Sequence, residues 1–128
     1  MMPATAIYAA TSGLLFFALS IRTIRMRRRH RVAIGDGNNN ELRRAMRVHA
    51  NFAEYTPLAL LLVFFVESGG APTLLVHGLG IALLAGRLLH AWGVSQPREN
   101  FRYRVAGMVL TFSVLITSAL EILVLRLL

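Results

Sequence analysis

The sequence has no cysteine, no lysine and few acidic residues. The absence of cysteine excludes a disulfide framework, a cysteine nucleophile and thiolate metal ligands. The four histidines are scattered without the spacing of a metal site, so no metal is expected. All 14 basic residues are therefore arginine, against six acids, which gives a net charge of +8. These arginines are clumped between apolar segments and do not form a solvent-facing patch, so nucleic-acid binding is not expected either.

Long apolar segments dominate the chain: 55% of its residues are hydrophobic and its mean hydropathy is +0.56. A chain of 128 residues with this composition is too apolar for a water-soluble fold. The apolar segments are residues 4–21, 55–66 (extended backwards as a helix through 41), 73–94 and 105–128. A helix crosses the hydrocarbon core with about 20 residues. The sequence therefore predicts an all-α integral membrane protein, a single domain over residues 1–128 with four transmembrane helices at about 4–28, 41–67, 73–94 and 102–127.

The positions of the arginines predict an orientation. They cluster after the first apolar segment, before the second, and between the third and fourth, whereas the connection SGGAPT has none. By the positive-inside rule, both Arg-rich connections lie in the cytosol and both termini lie outside. The first segment is not a cleavable signal peptide, because its arginines follow the apolar run. The expected location is the inner (cytoplasmic) membrane of a bacterium.

A polar stripe runs along the second helix into the apolar run. At 100° per residue, Asn51 lies about 40° from Arg47, and Glu54 about 20° from it on the other side. Tyr55 falls on the same broad stripe. An acid and an amide at this depth are costly without partners, so the stripe is expected to face the protein interior or a wet cavity. A purely structural interpretation stays open, in which the arginines reach the interface and Glu54 pairs with Arg47 or Arg87.

The third and fourth helices add further polar groups near the same end. Arg87 and His90 are about 60° apart and share one face of the third helix. Arg104 lies one turn before Gly107 in the fourth. Arginine forks bind carboxylates in bidentate pairs, and a glutamate can bind an ammonium. The cluster therefore suits a small anionic ligand with a single cationic group. Four glycines are expected to allow close helix approach: Gly78, Gly80, Gly86 and Gly107.

The motifs R-x-H-x-N-F-x-E-Y-x-P, G-R-x-x-H and R-x-x-G, taken in this order, resemble the MAPEG family of membrane-associated proteins in eicosanoid and glutathione metabolism. The resemblance implies a four-helix bundle assembled as a homotrimer, with glutathione held between adjacent subunits near the cytosolic face. It implies glutathione contacts from the second and third helices: Arg47, Asn51, Glu54, Tyr55, Arg87 and His90. Arg104 matches the arginine that stabilises the glutathione thiolate. An arginine at the end of the first helix completes the contacts, with Arg25 and Arg27 as open alternatives.

The function implied is a membrane glutathione transferase, with glutathione as co-substrate and a lipophilic electrophile as second substrate. Glutathione peroxidase activity on a hydroperoxide is the related alternative. The sequence departs from the mammalian synthases at His90 and Val94, which leaves the lipophilic substrate unassigned. Two other functions stay open: a non-catalytic protein that binds or presents membrane lipid, and a small four-helix transporter. Such transporters usually carry an acid in the first helix, and residues 4–21 contain none.

Overall fold

The computed structural model describes residues 2–127, which form four helices: α1 (Thr5–His30), α2 (Asn40–Ser68), α3 (Thr73–Ser95) and α4 (Phe101–Leu127). Each is long and apolar enough to cross a membrane. Their ends lie within two residues of the positions expected from the sequence. The prediction of an all-α protein with four transmembrane helices is confirmed. The connections 31–39 and 96–100 share one end of the bundle, called the Arg-rich end below.

Side-chain caps define where two of the helices begin. The Asn39 side chain accepts a hydrogen bond from the Leu42 backbone N–H (2.9 Å), as an N-cap residue does. The start of α1 is capped from the far end of α2. There the Glu67 carboxylate accepts from the backbone N–H of Ala4 and of Thr5, and from the Thr5 hydroxyl. Sequence reasoning missed this role of Glu67, because a cap normally comes from the helix it serves.

The buried residues of α2 explain how the bundle packs. They recur at a spacing of three or four residues, which lines one face of a helix: Leu42, Ala45, Val48, Phe52, Thr56, Ala59, Val63 and Val66. Both α2 and α3 contact each of the other helices, whereas α1 and α4 do not meet within residues 2–127. The main apolar core combines residues of α2, α3 and α4 toward the end opposite the Arg-rich end: Ala59, Val63, Val66, Val76, Leu79, Leu83 and Val114.

Helices α3 and α4 approach each other closely at glycines. A Cβ added at Gly107 would overlap the Gly86 carbonyl and the backbone of His90. Gly80 lies against the ring of Tyr8 instead, and Gly93, which is not among the four glycines named from the sequence, lies against the start of α4. Gly78 borders open space, so the expectation of close approach there is wrong for the single chain. The close approach at Gly86 and Gly107 brings His90 and Arg104 toward the same end of α2.

We expect Gly107→Ala to destabilise the protein by about 1–3 kcal/mol, because the added methyl group meets backbone atoms that cannot rotate away. The matched control is Gly78→Ala, where the added methyl group meets nothing within the chain. That control is expected to unfold at the temperature of the parent or slightly above it, since alanine favours helix over glycine. Thermal unfolding in detergent measures both. Equal melting temperatures for the two variants would contradict the packing described.

Candidate functional site

A polar cavity of about 330 Å³ lies at the Arg-rich end, between α2 and the adjoining ends of α3 and α4. We call it the arginine cavity, and nine residues line it: Asn40, Arg43, Arg44, Arg47, Asn51, His90, Val94, Glu99 and Arg104. Its volume lies at the lower end of the range of about 300–1,000 Å³ for small-molecule sites. Four arginines face one acid there, so the cavity is suited to an anion.

Two of the four arginines have two partners each within the protein. Arg43 forms an ion pair with Asp36 at 2.5 Å and donates to the side chain of Asn40. Its guanidinium, hydrogen-bonded to the carboxylate, holds the pKa of Asp36 below the usual value. Arg44 donates to the backbone carbonyls of Val94 and Pro97, both at 3.3 Å, and so satisfies carbonyls at the end of α3. Both arginines therefore fix the walls of the cavity.

The other two arginines are the ones available to a ligand. Within residues 2–127, Arg47 is exposed and makes neither a hydrogen bond nor an ion pair. Arg104 forms an ion pair with Glu99, with its Nη1 atom 2.8 Å from the Glu99 Oε1 atom. This pair lies at the start of α4 and is partly exposed, so an incoming anion can compete for it.

Arg87 lies beside the arginine cavity without lining it, and only 2% of its surface is exposed. Its Nε and Nη2 atoms donate to the Thr111 hydroxyl, at 3.1 and 2.6 Å, and its Nη1 atom donates to the Asn51 Oδ1 atom at 2.6 Å. The guanidinium carbon also lies 5.8 Å from the centre of the Tyr55 ring. Arg87 thus joins α2, α3 and α4, and it holds the side chain of Asn51 in place at the cavity wall.

The polar stripe on α2 differs in part from the expectation. The stripe was expected to face the protein interior or a wet cavity: Arg47 and Asn51 both line the arginine cavity, whereas Glu54 does not line it and is exposed on the single chain. The apolar residues of α2 occupy the interior face, and the stripe lies along its flank. Within residues 2–127, Glu54 has no ion-pair or hydrogen-bond partner, and the pairing proposed with Arg47 or Arg87 is absent. Tyr55 packs edge-on against Phe112.

The structure separates the two arginines of α1 that the sequence left as alternatives. The Arg27 Nη1 atom donates to the Gly35 carbonyl at 2.8 Å and reaches two further carbonyls of the connection to α2, so this side chain fixes the turn. Arg25 is exposed on the outer surface of α1, and in the described part of the chain it makes no hydrogen bond. Neither residue lines the arginine cavity of its own chain.

Sequence reasoning found four of the nine lining residues as site residues: Arg47, Asn51, His90 and Arg104. It did not find Asn40 or Glu99, which lie at helix starts and in a connection where polar residues are expected anyway. A usable signal for Glu99 was its place among the arginines between the third and fourth apolar segments, in a chain with six acids. His49 stacks on Phe16, and its Nε2 atom lies 3.0 Å from the Ser20 hydroxyl oxygen. No group of potential metal ligands comes together within residues 2–127.

A second cavity, of about 270 Å³, lies between α1 and α2. We call it the apolar cleft, and its lining is almost entirely carbon: Ala9, Ser12, Gly13, Phe16, Phe52, Ala53, Thr56, Pro57 and Leu60. Thr56, Pro57 and Leu60 lie about 120–180° around α2 from Asn51. In one chain the apolar cleft and the arginine cavity are therefore on different sides of α2, and they do not form a continuous site.

Four membrane-length helices with an arginine-lined cavity at one end define an integral membrane protein with a cavity suited to an anion. Comparison with known proteins agrees with the motifs. The sequence model of the MAPEG family matches residues 5–124. The chain belongs to the MAPEG family, whose members act in glutathione and eicosanoid metabolism.

Two curated relatives carry the name Inner membrane protein YecN, one from Escherichia coli strain K12 and one from Escherichia coli O6:H1 strain CFT073. Each is 44% identical to this chain over 116 residues, which covers 91% of this chain and 87% of the relative. The similarity thus extends over nearly the whole of both proteins. The name of these relatives states a membrane location and no activity.

Proposed function

We propose that this protein is a membrane glutathione transferase, which binds glutathione in the arginine cavity and activates its thiol as a thiolate. The observation that carries the proposal is the arginine cavity itself, in which Arg47 has no partner within residues 2–127 and Arg104 has only an exposed one. Glutathione has two carboxylates, one ammonium and one thiol. That is the charge pattern for which a cluster of arginines with few acids is suited.

The proposed chemistry depends on Arg104. A free thiol is mostly protonated at neutral pH, and only the thiolate is a good nucleophile. A guanidinium beside the sulfur favours the charged form and lowers the thiol pKa, while the proton is released to solvent. The thiolate then attacks a lipophilic electrophile, forming the carbon–sulfur bond and expelling the leaving group. With a hydroperoxide, the same thiolate would attack the terminal oxygen, break the O–O bond to release the alcohol, and become a sulfenic acid. A second glutathione thiol would then displace water from the sulfenic acid to form the disulfide.

Assembly as a homotrimer would complete the site, and three features of the single chain support this part of the proposal. Glu54 is exposed on a helix of membrane-spanning length, where an acid facing lipid is costly. Arg25 is exposed at the Arg-rich end, so it is the α1 arginine that we propose contacts glutathione across the interface. The apolar cleft lies on the other side of α2 from Asn51, so a neighbouring chain would have to bring the two half-sites together.

The second substrate would enter from the bilayer. The apolar cleft provides an uncharged surface that this substrate can contact, and the bilayer concentrates lipophilic molecules beside the cleft. We place the protein in the inner membrane of a bacterium, with the Arg-rich end and the glutathione site in the cytosol and both termini outside. This orientation follows from the positive-inside rule applied to the two Arg-rich connections.

Conjugation assays test this function. Purified protein in detergent is incubated with glutathione and a small lipophilic aryl halide, and conjugate formation is followed with time. Saturable turnover that requires both substrates is the expected result. Absence of turnover with a panel of lipophilic electrophiles and hydroperoxides would contradict the transferase function. It would favour the second candidate, a non-catalytic lipid-binding protein, which the apolar cleft supports independently.

Arg47→Ala is expected to weaken glutathione binding by about tenfold or more, because it removes a charged donor to a ligand carboxylate. The matched control is Arg102→Ala, an exposed arginine at the same end that does not line the arginine cavity. This control carries the same change in net charge and is expected to bind like the parent. Protection by glutathione against thermal unfolding, titrated over concentration, measures both. If both variants lost the same glutathione affinity, binding would depend on the overall positive charge of this end and not on Arg47 itself.

A further inference from the structure

Glu99 is the one acid among the described residues that line the arginine cavity. Its Oε1 atom lies 2.8 Å from the Nη1 atom of Arg104, the arginine assigned to the glutathione sulfur. A carboxylate therefore occupies the position beside this guanidinium that an anionic ligand group would take. The arrangement is not explained by the need to bind anions, since an acid at this place opposes the approach of any anion.

The backbone holds Glu99 at this position. The backbone N–H of the next residue, Asn100, donates to the Gly93 carbonyl at 2.9 Å, which ties the connection to the end of α3. The Asn100 carbonyl accepts from the backbone N–H of Arg104 at 3.1 Å, so the first turn of α4 begins there. Gly93 allows this close approach, because a Cβ in its place would overlap the Arg104 backbone nitrogen. Glu99 and Arg104 are thus fixed on the two sides of one short turn.

We propose that Glu99 is a specificity-determining residue: its carboxylate occupies the sulfur position beside Arg104 in the free protein and so lowers the affinity for ligands that carry a negative charge there. This inference rests on the proposed function of the same site. A ligand with a charged sulfur displaces the Glu99 carboxylate and replaces one ion pair with another. A ligand that is neutral at the sulfur forms no ion pair with Arg104. The Glu99–Arg104 ion pair therefore stays intact, and Arg104 does not stabilise the sulfur.

The exposure of the pair makes this displacement feasible. The side chains of Arg104 and Glu99 are 45% and 30% exposed, so the carboxylate can turn to solvent when it is released. Ion pairs of this exposure contribute little free energy, and breaking one costs a factor of about five in affinity at most. Glu99 would therefore reduce the affinity for charged ligands modestly, without blocking the site.

Two glutathione analogues separate the effect of Glu99 from general binding. Glutathione sulfonate carries a permanent negative charge at the sulfur position, and S-methylglutathione carries none. We expect Glu99→Gln to bind the sulfonate about fivefold more tightly than the parent and to bind S-methylglutathione with unchanged affinity. The ratio of the two affinities is the readout. In the double variant Glu99→Gln/Arg104→Ala, the gain for the sulfonate is expected to disappear.

Asp36→Asn is the matched control, because it releases Arg43, another arginine of the same cavity, from its ion pair and makes the same change in net charge. It is expected to leave the affinity ratio unchanged, because Arg43 is not the arginine assigned to the sulfur. A merely structural role of Glu99 at the start of α4 would lower both affinities together and leave the ratio as in the parent.

The outcomes distinguish this inference from the proposed function. If the parent binds both analogues and Glu99→Gln leaves their ratio unchanged, the role of Glu99 is wrong and the glutathione site stands. The same conclusion follows if Asp36→Asn changes the ratio as much as Glu99→Gln does. If no variant, including the parent, binds either analogue, the proposed function fails and the role of Glu99 fails with it.

Discussion

Replacing Arg104 with alanine is expected to abolish glutathione thiolate formation while leaving most of the glutathione affinity intact. Without the guanidinium, the pKa of the bound thiol returns toward its ordinary value of about 8.5, so about 3% of the bound glutathione is thiolate at pH 7. Turnover falls with the thiolate, by a factor of about ten or more. Affinity is retained because Arg47 and Asn51 remain in the cavity to bind the rest of the ligand.

Two measurements on the same variant check this expectation. Thermal protection by glutathione reports binding, and conjugation turnover over a range of pH reports the thiolate. In Arg104→Ala the turnover is expected to recover as the pH rises toward 8.5, whereas Arg102→Ala, two residues earlier on the same helix, is expected to follow the parent. An Arg104→Ala protein as active as the parent at neutral pH would contradict the mechanism.

Replacing Arg87 with alanine is expected to cause the largest loss of stability, about 3–5 kcal/mol. The substitution leaves the Asn51 carbonyl oxygen without its donor and opens a cavity between three helices. Hydrogen bonds from a charged group such as Arg87 contribute about 1.5–3 kcal/mol, and the removed packing adds to this. The melting temperature in detergent is expected to fall by about 10 °C or more.

Two further variants identify the cause of this loss. Arg87→Met restores much of the volume but none of the hydrogen bonds, so it is expected to recover only part of the stability. Arg28→Ala removes an exposed arginine near the end of α1 and is expected to change the melting temperature little. If Arg87→Ala melted with the parent, the hydrogen bonds from Arg87 to Asn51 and Thr111 would not contribute to the fold.

The fold could be predicted almost completely from the sequence, because apolar run length and arginine placement determine where helices cross a membrane. What could not be predicted were contacts between residues distant in the chain. The cap that Glu67 provides for α1 joins positions 62 and 63 residues apart, which no local pattern indicates. The hydrogen bonds of Arg27 to the turn after α1 likewise depend on the path of that turn.

The residue types of the site could be predicted from the sequence, but the contacts that those residues make could be predicted only in part. Helical spacing placed Arg47, Asn51 and Glu54 on one stripe, but spacing alone does not tell which neighbouring helix covers the stripe. In the structure, Arg87 on α3 donates a hydrogen bond to Asn51, whereas Glu54 is exposed on the single chain. Whether a second subunit covers Glu54 depends on assembly, which helical periodicity does not encode. Glu99 was not predicted as a site residue, because acids are common near helix starts, where they interact favourably with the helix dipole.

The most direct test of the proposed mechanism is the ultraviolet absorbance of the glutathione thiolate, recorded as glutathione is added to the detergent-purified protein near neutral pH. We expect a saturable thiolate signal in the parent, and a loss of that signal in Arg104→Ala. Absence of a signal in the parent, together with no protection by glutathione against heat, would contradict both the site and its activation.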